Sequence, residues 1–314
     1  MKRASGPESD SDFARWSNFP GARSPDRTRS VAAGGLRLAV HEWGPLDAPP
    51  LLLAHGGFDF AQTFSAFAPL LADVGWRVVC WDQRGHGDSE HAALYSWEAD
   101  ARDGLAVLDT LSPKPIPLLG HSKGGALLMH IAHACPHRVS RLINIDGIPS
   151  GQRHPDVADH ERTRLLAEEL SGWLDHRRRA ADLVRRPDHI EGLARRRARM
   201  NPRLSHEWLC FLVTRGAQHD ADGWRWKIDP ALRFGGFGPS RPDWAMQRLP
   251  SLAVPLLGIL AGEDEPMGWH TRPEHVEPYL PTGARLHCFA GAGHFVHIEK
   301  PREVAELVLE FLRT

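Results

Sequence analysis

The stretch that decides the fold runs from residue 116 to residue 134, IPLLGHSKGGALLMHIAHA. Its opening residues, Ile116 to Leu119, form a short apolar run of the kind a strand buried on both faces carries. From Gly124 to Ala134 the apolar residues recur at helical spacing. Between strand and helix lies Gly120-His121-Ser122-Lys123-Gly124. A residue at so sharp a turn is held in a strained backbone conformation that small flanking glycines permit. Its hydroxyl then stands above the sheet at the positive end of a helix. In that context Ser122 reads as a nucleophile.

Outward from this turn, other short apolar runs alternate with helix-like segments. Leu51 to Ala54, Trp76 to Trp81 and Leu142 to Ile145 read as strands; Gln62 to Val74 and Ser96 to Leu111 read as helices. Arg29 to Ala33 and Leu36 to Trp43 flank Gly34-Gly35 as an opening hairpin. The rhythm stops near residue 150 and resumes with a strand Val254 to Ala261, a helix at Pro273 to Tyr279, a strand Arg285 to Phe289 and a helix Arg302 to Leu312. This β-α-β order predicts an α/β fold, a mostly parallel twisted sheet with helices on both faces. The Arg-rich, helical stretch 151–245 reads as an inserted cap on a core of 28–150 and 246–314. Residues 1–27 are too polar and too rich in Gly, Pro and Ser to stabilise their own ordering and read as a flexible arm, on which Trp16 and Phe19 are the docking candidates.

Composition narrows the function classes. A chain of 314 residues with 42% hydrophobic and 25% charged residues can bury a substantial core, and a net charge of -1 gives no pull toward nucleic acid or an anionic membrane. Cys80, Cys135, Cys210 and Cys288 lie far apart without C-x-x-C spacing, so neither a metal site nor a disulfide framework is expected. No apolar run has the length of a signal peptide or a membrane span, which leads to the expectation of a soluble cytoplasmic protein. The expected partner is a small-molecule substrate, with no cofactor and no metal.

A serine hydroxyl needs a base brought from elsewhere in the chain. His294, in Gly291-Ala292-Gly293-His294, lies between the last strand and the last helix, the final place in the order serine, acid, histidine. His297 is its local competitor. The acid is sought after the strand ending at Ala261, where Glu263, Asp264 and Glu265 follow Gly262. Asp146, closing the strand Leu142 to Ile145, is a further candidate that reads more simply as a turn residue bonded to nearby backbone. His55-Gly56-Gly57 follows another strand, so the main-chain N–H groups of Gly57 and Lys123 are the expected oxyanion hole.

Together these residues resemble the α/β-hydrolase superfamily, and within it the cap-bearing group of esterases, haloperoxidase-like hydrolases and carbon–carbon bond hydrolases. Two further stretches carry the resemblance: Asp82 to Ser89 looks like the D-x-R-G-x-G-x-S loop, and Gly293 to Pro301 like G-H-x-x-x-x-E-x-P. The resemblance implies an α/β-hydrolase fold and a Ser-acid-His triad. The family usually has Asp at the position of Glu265, so spacing favours Glu265 and side-chain type favours Asp264. Lys123 stands where the family commonly has Met or Gln; its cation is expected to lower the pKa of the triad or to bind an anionic group. Relatives that open epoxides or cleave haloalkanes attack with a carboxylate, and serine at 122 argues against that chemistry. The implied activity is hydrolysis of a small, mainly apolar ester, thioester or lactone through an acyl-enzyme. The alternatives are carbon–carbon cleavage of a ring-opened aromatic metabolite and a non-catalytic ligand-binding protein.

The cap offers hints about substrate. Nine arginines face three acids, Asp182, Asp188 and Glu191, between Arg177 and Arg199. A solvated helix face accounts for such a run; arginines turned inward would clamp a carboxylate or phosphate. Trp173, Trp208, Trp224, Trp226, Trp244, Phe58, Phe60, Met267 and Trp269 are candidates for a mostly apolar pocket.

Overall fold

An eight-stranded sheet organises the computed structural model, which describes residues 8–149, 159–180, 183–232 and 242–314. In chain order the elements are α1 (Glu8–Trp16), β1 (Arg27–Ala33), β2 (Leu36–Trp43), β3 (Pro50–Ala54), α2 (Ala68–Ala72), β4 (Arg77–Trp81), α3 (Trp97–Asp109), β5 (Ile116–His121), α4 (Lys123–Ala134) and β6 (Val139–Ile145). After β6 come α5 (Asp159–Ala180), α6 (Ile190–Ala198), α7 (His206–Gly216), β7 (Ala217–Asp220), β8 (Gly223–Trp226) and α8 (Pro242–Arg248). The chain then returns through β9 (Leu256–Ala261), α9 (Pro273–Val276), β10 (Arg285–Phe289), α10 (Val296–Glu299) and α11 (Pro301–Arg313).

The strand order is β1-β2-β4-β3-β5-β6-β9-β10. β2 runs antiparallel to β1 and β4, and the other pairings are parallel. Every residue of β5 and of β9 is buried, in keeping with the apolar run Ile116 to Leu119 and the wholly apolar β9. One face of the sheet packs Leu52, Val79, Leu118 and Leu142 against α3 and α4; the other packs Leu53, Val78, Leu119 and Ile143 against α2 and α11. α11 buries the stripe Val304, Ala305, Val308 and Phe311, each large side chain contributing about 1.5 to 3 kcal/mol. The parallel strands bring the carboxyl ends of β3, β5, β6 and β9 to one edge of the sheet, where α/β folds place their ligands.

Three sequence expectations change. Residues 8–27 do not form a flexible arm: α1 lies on α7, with Trp16 buried 5.7 Å from His206 and Phe19 4.8 Å from Trp208, ring centre to ring centre. Residue 27 already belongs to β1. Apolar burial against α7 supplies what the polar sequence itself lacks; residues 1–7 lie outside the described residues. The single helix expected over Gln62 to Val74 is a short 3-10 turn, Ala61–Phe64, followed by α2, whose Pro69 sits in the first turn where a missing N–H is tolerated. Between β6 and β9 the chain is not purely helical, because β7 and β8 form a hairpin. Asp182 and the side chain of Trp244 lie outside the described residues.

Candidate active site

Ser122 stands at the turn from β5 to α4 with φ 52° and ψ -123°, a left-handed conformation that side chains rarely adopt. Glycine flanks make this turn feasible. A Cβ at Gly120 would lie 2.5 Å from the backbone of Gly124, and one at Gly124 would lie 2.2 Å from the carbonyl oxygen of Ala54. The Ser122 N–H donates to Ile145 O (2.9 Å), tying the turn to the end of β6. Among the described residues Ser122 Oγ has no hydrogen-bond partner, and the residue is 8% exposed.

His294 reaches this turn from the loop after β10. His121, the residue before Ser122, shares a 2.9 Å hydrogen bond between its Nε2 and the carbonyl oxygen of His294, and the two rings lie 4.7 Å apart. The His294 Nδ1 lies 2.6 Å from Asp146 Oδ2. A carboxylate can only accept, so this contact puts a proton on Nδ1, and in the neutral ring Nε2 then carries the lone pair. The other oxygen, Asp146 Oδ1, accepts the Ala261 N–H at 3.0 Å, so both ends of the carboxylate are anchored. Asp146 is itself strained at φ 44° and is 3% exposed.

The two acids favoured by sequence lie elsewhere. Glu265 is buried, but its Oε2 accepts the main-chain N–H of His294 (2.7 Å) and its Oε1 that of Arg203 (3.4 Å). It holds the backbone of the histidine loop and does not touch the imidazole; burial raises its pKa. Asp264 points away, pairing with His270 Nδ1 and Arg272 Nη2, each at 3.0 Å, with half of its side chain exposed. The turn role expected of Asp146 is only half its contacts, because the second oxygen reaches the imidazole. His297, the competing histidine, is sealed among Phe64, Phe67 and His121, and burial pushes its pKa down to about 3.

The loop after β3 presses on the nucleophile. A Cβ at Gly56 would meet Ser122 Cβ at 3.3 Å. The N–H of Phe58 is already donated to His86 Nε2 (3.2 Å), whereas that of Gly57 donates to no group among the described residues. His55 braces the loop, its Nδ1 on Gly56 O (2.7 Å) and its Nε2 accepting the Gln83 N–H (2.9 Å); burial holds its pKa down at about 4, so the ring stays neutral. Sequence reasoning passed over Gln83 and His86, which stand in the D-x-R-G-x-G-x-S stretch. That loop is rigid: Asp82 accepts the N–H groups of Ala61 (2.7 Å) and Asp88 (2.8 Å), and Arg84 grips Asp103 through two bonds of 2.7 and 2.8 Å.

The Lys123 cation, expected to lower the pKa of the site or to bind an anionic group, is turned toward Asp100 and Gln83. It is buried, and its Nζ donates to Asp100 Oδ2 (2.6 Å) and Gln83 Oε1 (2.5 Å). Lys123 and Asp100 form a buried ion pair. Above the loop lies a cavity of about 400 Å³ with apolar walls from Phe58, Met200, Trp226, Ile228, Leu232 and Met267. Of the expected pocket aromatics, Phe58 and Trp226 line it, while Trp208, Trp224 and Phe60 are packed in the core beneath α6 and α7.

A family model matches residues 51–307, the description being "Alpha/beta hydrolase family". The chain belongs to this family. Among its relatives, the mouse (Mus musculus) sn-1-specific diacylglycerol lipase ABHD11 is 27% identical over 86% of this chain and 82% of its own length. Esterase YbfF of Escherichia coli is 25% identical over 84% of this chain and 92% of its own. Of solved structures, a thioesterase domain from the curacin biosynthetic pathway superposes with a TM-score of 0.76 at 25% identity, covering 90% of this chain and 99% of that one. As a member of the alpha/beta hydrolase family the chain has the expected fold, and no helix among the described residues is long and apolar enough to cross a membrane.

Proposed function

We propose that this alpha/beta hydrolase cleaves small, mainly apolar carboxylic esters or thioesters through an acyl-enzyme on Ser122. The observation that carries the reading is the strained Ser122 turn set beside a His294 ring whose Nδ1 is held by Asp146 at 2.6 Å. The esterase, lipase and thioesterase named among the relatives agree with it.

In this reading His294 Nε2 takes the hydroxyl proton as Ser122 Oγ attacks the carbonyl carbon. Asp146 keeps the imidazole in the required tautomer and stabilises its charged form. The main-chain N–H groups of Gly57 and Lys123 receive the developing oxyanion, worth about 3 to 4 kcal/mol per donor in the transition state. His294 hands its proton to the leaving alcohol or thiol. Water then gives hydroxide to the acyl carbon and its proton to His294, and Ser122 is regenerated. Glu265 acts indirectly, by fixing the backbone from which His294 projects.

A serine-directed fluorophosphonate probe tests the reading. Stoichiometric labelling of the wild type and none of Ser122→Ala is expected, together with turnover of p-nitrophenyl esters. Absence of labelling, or labelling retained in Ser122→Ala, would refute it.

A further inference from the structure

Three arginines, Arg185, Arg196 and Arg197, share the lining of the 400 Å³ cavity, and no carboxylate lines it among the described residues. Two of the three are already compensated. Arg196 Nη2 lies 3.2 Å from Asp188 Oδ2, and Arg197 Nη2 lies 3.6 Å from Asp59 Oδ1 while its Nη1 donates to Phe58 O at 2.8 Å. Arg185 differs. Its Nε donates to Ile228 O (3.0 Å) and its Nη2 to Asp229 O (2.7 Å) and Leu232 O (3.4 Å), all main-chain carbonyls. It forms no ion pair with any described residue, and its Nη1 makes no hydrogen bond to one.

The nearby acid, Asp229, is committed elsewhere. Its Oδ2 accepts from Tyr95 Oη and lies 3.7 Å from both Arg177 Nη1 and His91 Nδ1, and its Oδ1 accepts the Ala231 N–H at 2.8 Å. Burial lowers the pKa of Arg185, the mark of a cation without enough opposing charge. A guanidinium whose Nε and Nη2 are held by three carbonyls has a fixed direction and keeps the two hydrogens of Nη1 for an anion's oxygen. Arg185 also lines a neighbouring cavity of about 450 Å³, but there Asp88 and Lys227 form their own pair at 2.6 Å.

We propose that Arg185 forms an anion-binding subsite and that the preferred esters bear a carboxylate on a short apolar chain. This rests on the reading of Ser122 as nucleophile. The cavity neighbours the loop that presses on the nucleophile: Phe58, which lines it, stands two residues beyond the glycine packed against Ser122. Its volume lies near the lower end for small-molecule sites, so a half-ester of a short dicarboxylic acid fits and a bulky nucleotide carrier does not. Hydrolysis itself is unchanged: water adds hydroxide to the acyl carbon and a proton to the leaving oxygen, and the remote carboxylate stays on Arg185 throughout.

Matched pairs that differ only in charge test the subsite. On the acyl side the pair is p-nitrophenyl hemiglutarate and its primary-amide isostere; on the leaving-group side it is 4-(carboxymethyl)phenyl acetate and its amide. The carboxylate member should have at least a tenfold higher kcat/KM in one pair, carried mainly by KM, and the responsive pair reveals which half of the ester lies on Arg185. In Arg185→Gln that ratio should fall toward one; Arg185→Lys should keep part of it. A ratio at or below one in both pairs for the wild type, which needs no variant to fold, would overturn the proposal, as would an unchanged ratio in folded Arg185→Gln. Failure of the underlying reading looks different: neither member of either pair is hydrolysed and Ser122 is not labelled.

Discussion

Asp146 and His294, 148 positions apart in sequence, meet through a 2.6 Å contact between Oδ2 and Nδ1, both side chains almost wholly buried. If Asp146 sets the tautomer of the base, Asp146→Asn should leave a folded enzyme with kcat reduced by up to about 10⁴, the loss seen when the equivalent acid of a serine protease becomes an amide. Glu265→Gln, which can still accept the His294 N–H, should cost less than about tenfold, and Asp264→Asn less still. Steady-state kinetics of the three variants decide the matter. A dead Glu265→Gln beside an active Asp146→Asn would reverse the assignment.

Ser122→Ala and His294→Ala should each remove nearly all turnover, and the double variant should be little worse than either, because members of such a unit act together. Circular dichroism should show both single variants folded. Losses that multiply in the double variant would mean that the two residues act independently.

Acid should destabilise the fold below about pH 6.5. Burial holds His297 at about 3 and His55 at about 4, and it lowers His86 and His121 in the same direction. An unfolded histidine titrates near 6.5, so below that pH the unfolded chain takes up protons that the folded one refuses. These rings therefore contribute full stability above about pH 6.5 and lose it as the pH falls toward their folded values. Asp59, raised to about 6 by burial, Asp103 and Glu265, raised likewise, and His41, raised against the effect of burial by its bond to Asp82, act in the opposite sense; with His130, which burial also lowers, the depressed histidines outnumber them. Urea midpoints at pH 7.5, 6.0 and 5.0 should decline in that order; a flat or rising series would contradict this balance.

His297 makes a sharper test of the same physics. Among the described residues neither ring nitrogen has a hydrogen-bond partner, so the buried imidazole carries an unsatisfied N–H, a cost of about 1 to 3 kcal/mol. His297→Leu, close in volume, should not lower the urea midpoint at pH 7.5 and should shallow its decline toward pH 5. A destabilised variant with an unaltered pH slope would show that the ring has a polar partner in solution.

Trp16 should matter to stability although it belongs to the polar N-terminal segment. It is 9% exposed and packs with Phe19 and Ala22 against α7. Trp16→Ala should cost about 3 kcal/mol, in line with other large buried aromatics. Thermal unfolding measures it; an unchanged midpoint would mean that the segment undocks freely.

The local motifs were legible because their meaning lies within a few residues. An apolar run, a glycine-flanked serine and a helical period fix the turn at Ser122, and the loop at Gly57 follows from the same strand-then-glycine logic. The place of His294 between β10 and α11 was readable for the same reason. Which carboxylate meets the imidazole was not, because that depends on which side chain crosses the gap to the ring. β6 lies between β5 and β9, so Asp146 at the end of β6 and Glu265 just after β9 both emerge beside the histidine loop. Tertiary packing then turned Asp146 toward the ring and Glu265 toward the main-chain N–H. Spacing along a chain records which loop a carboxylate occupies; the direction of a buried side chain is set by neighbours contributed from distant strands. The same holds for Arg185 and for Trp16: their residue types announce a charge and an apolar surface, while the carbonyls of residues 228–232 and the face of α7 decide what those groups meet.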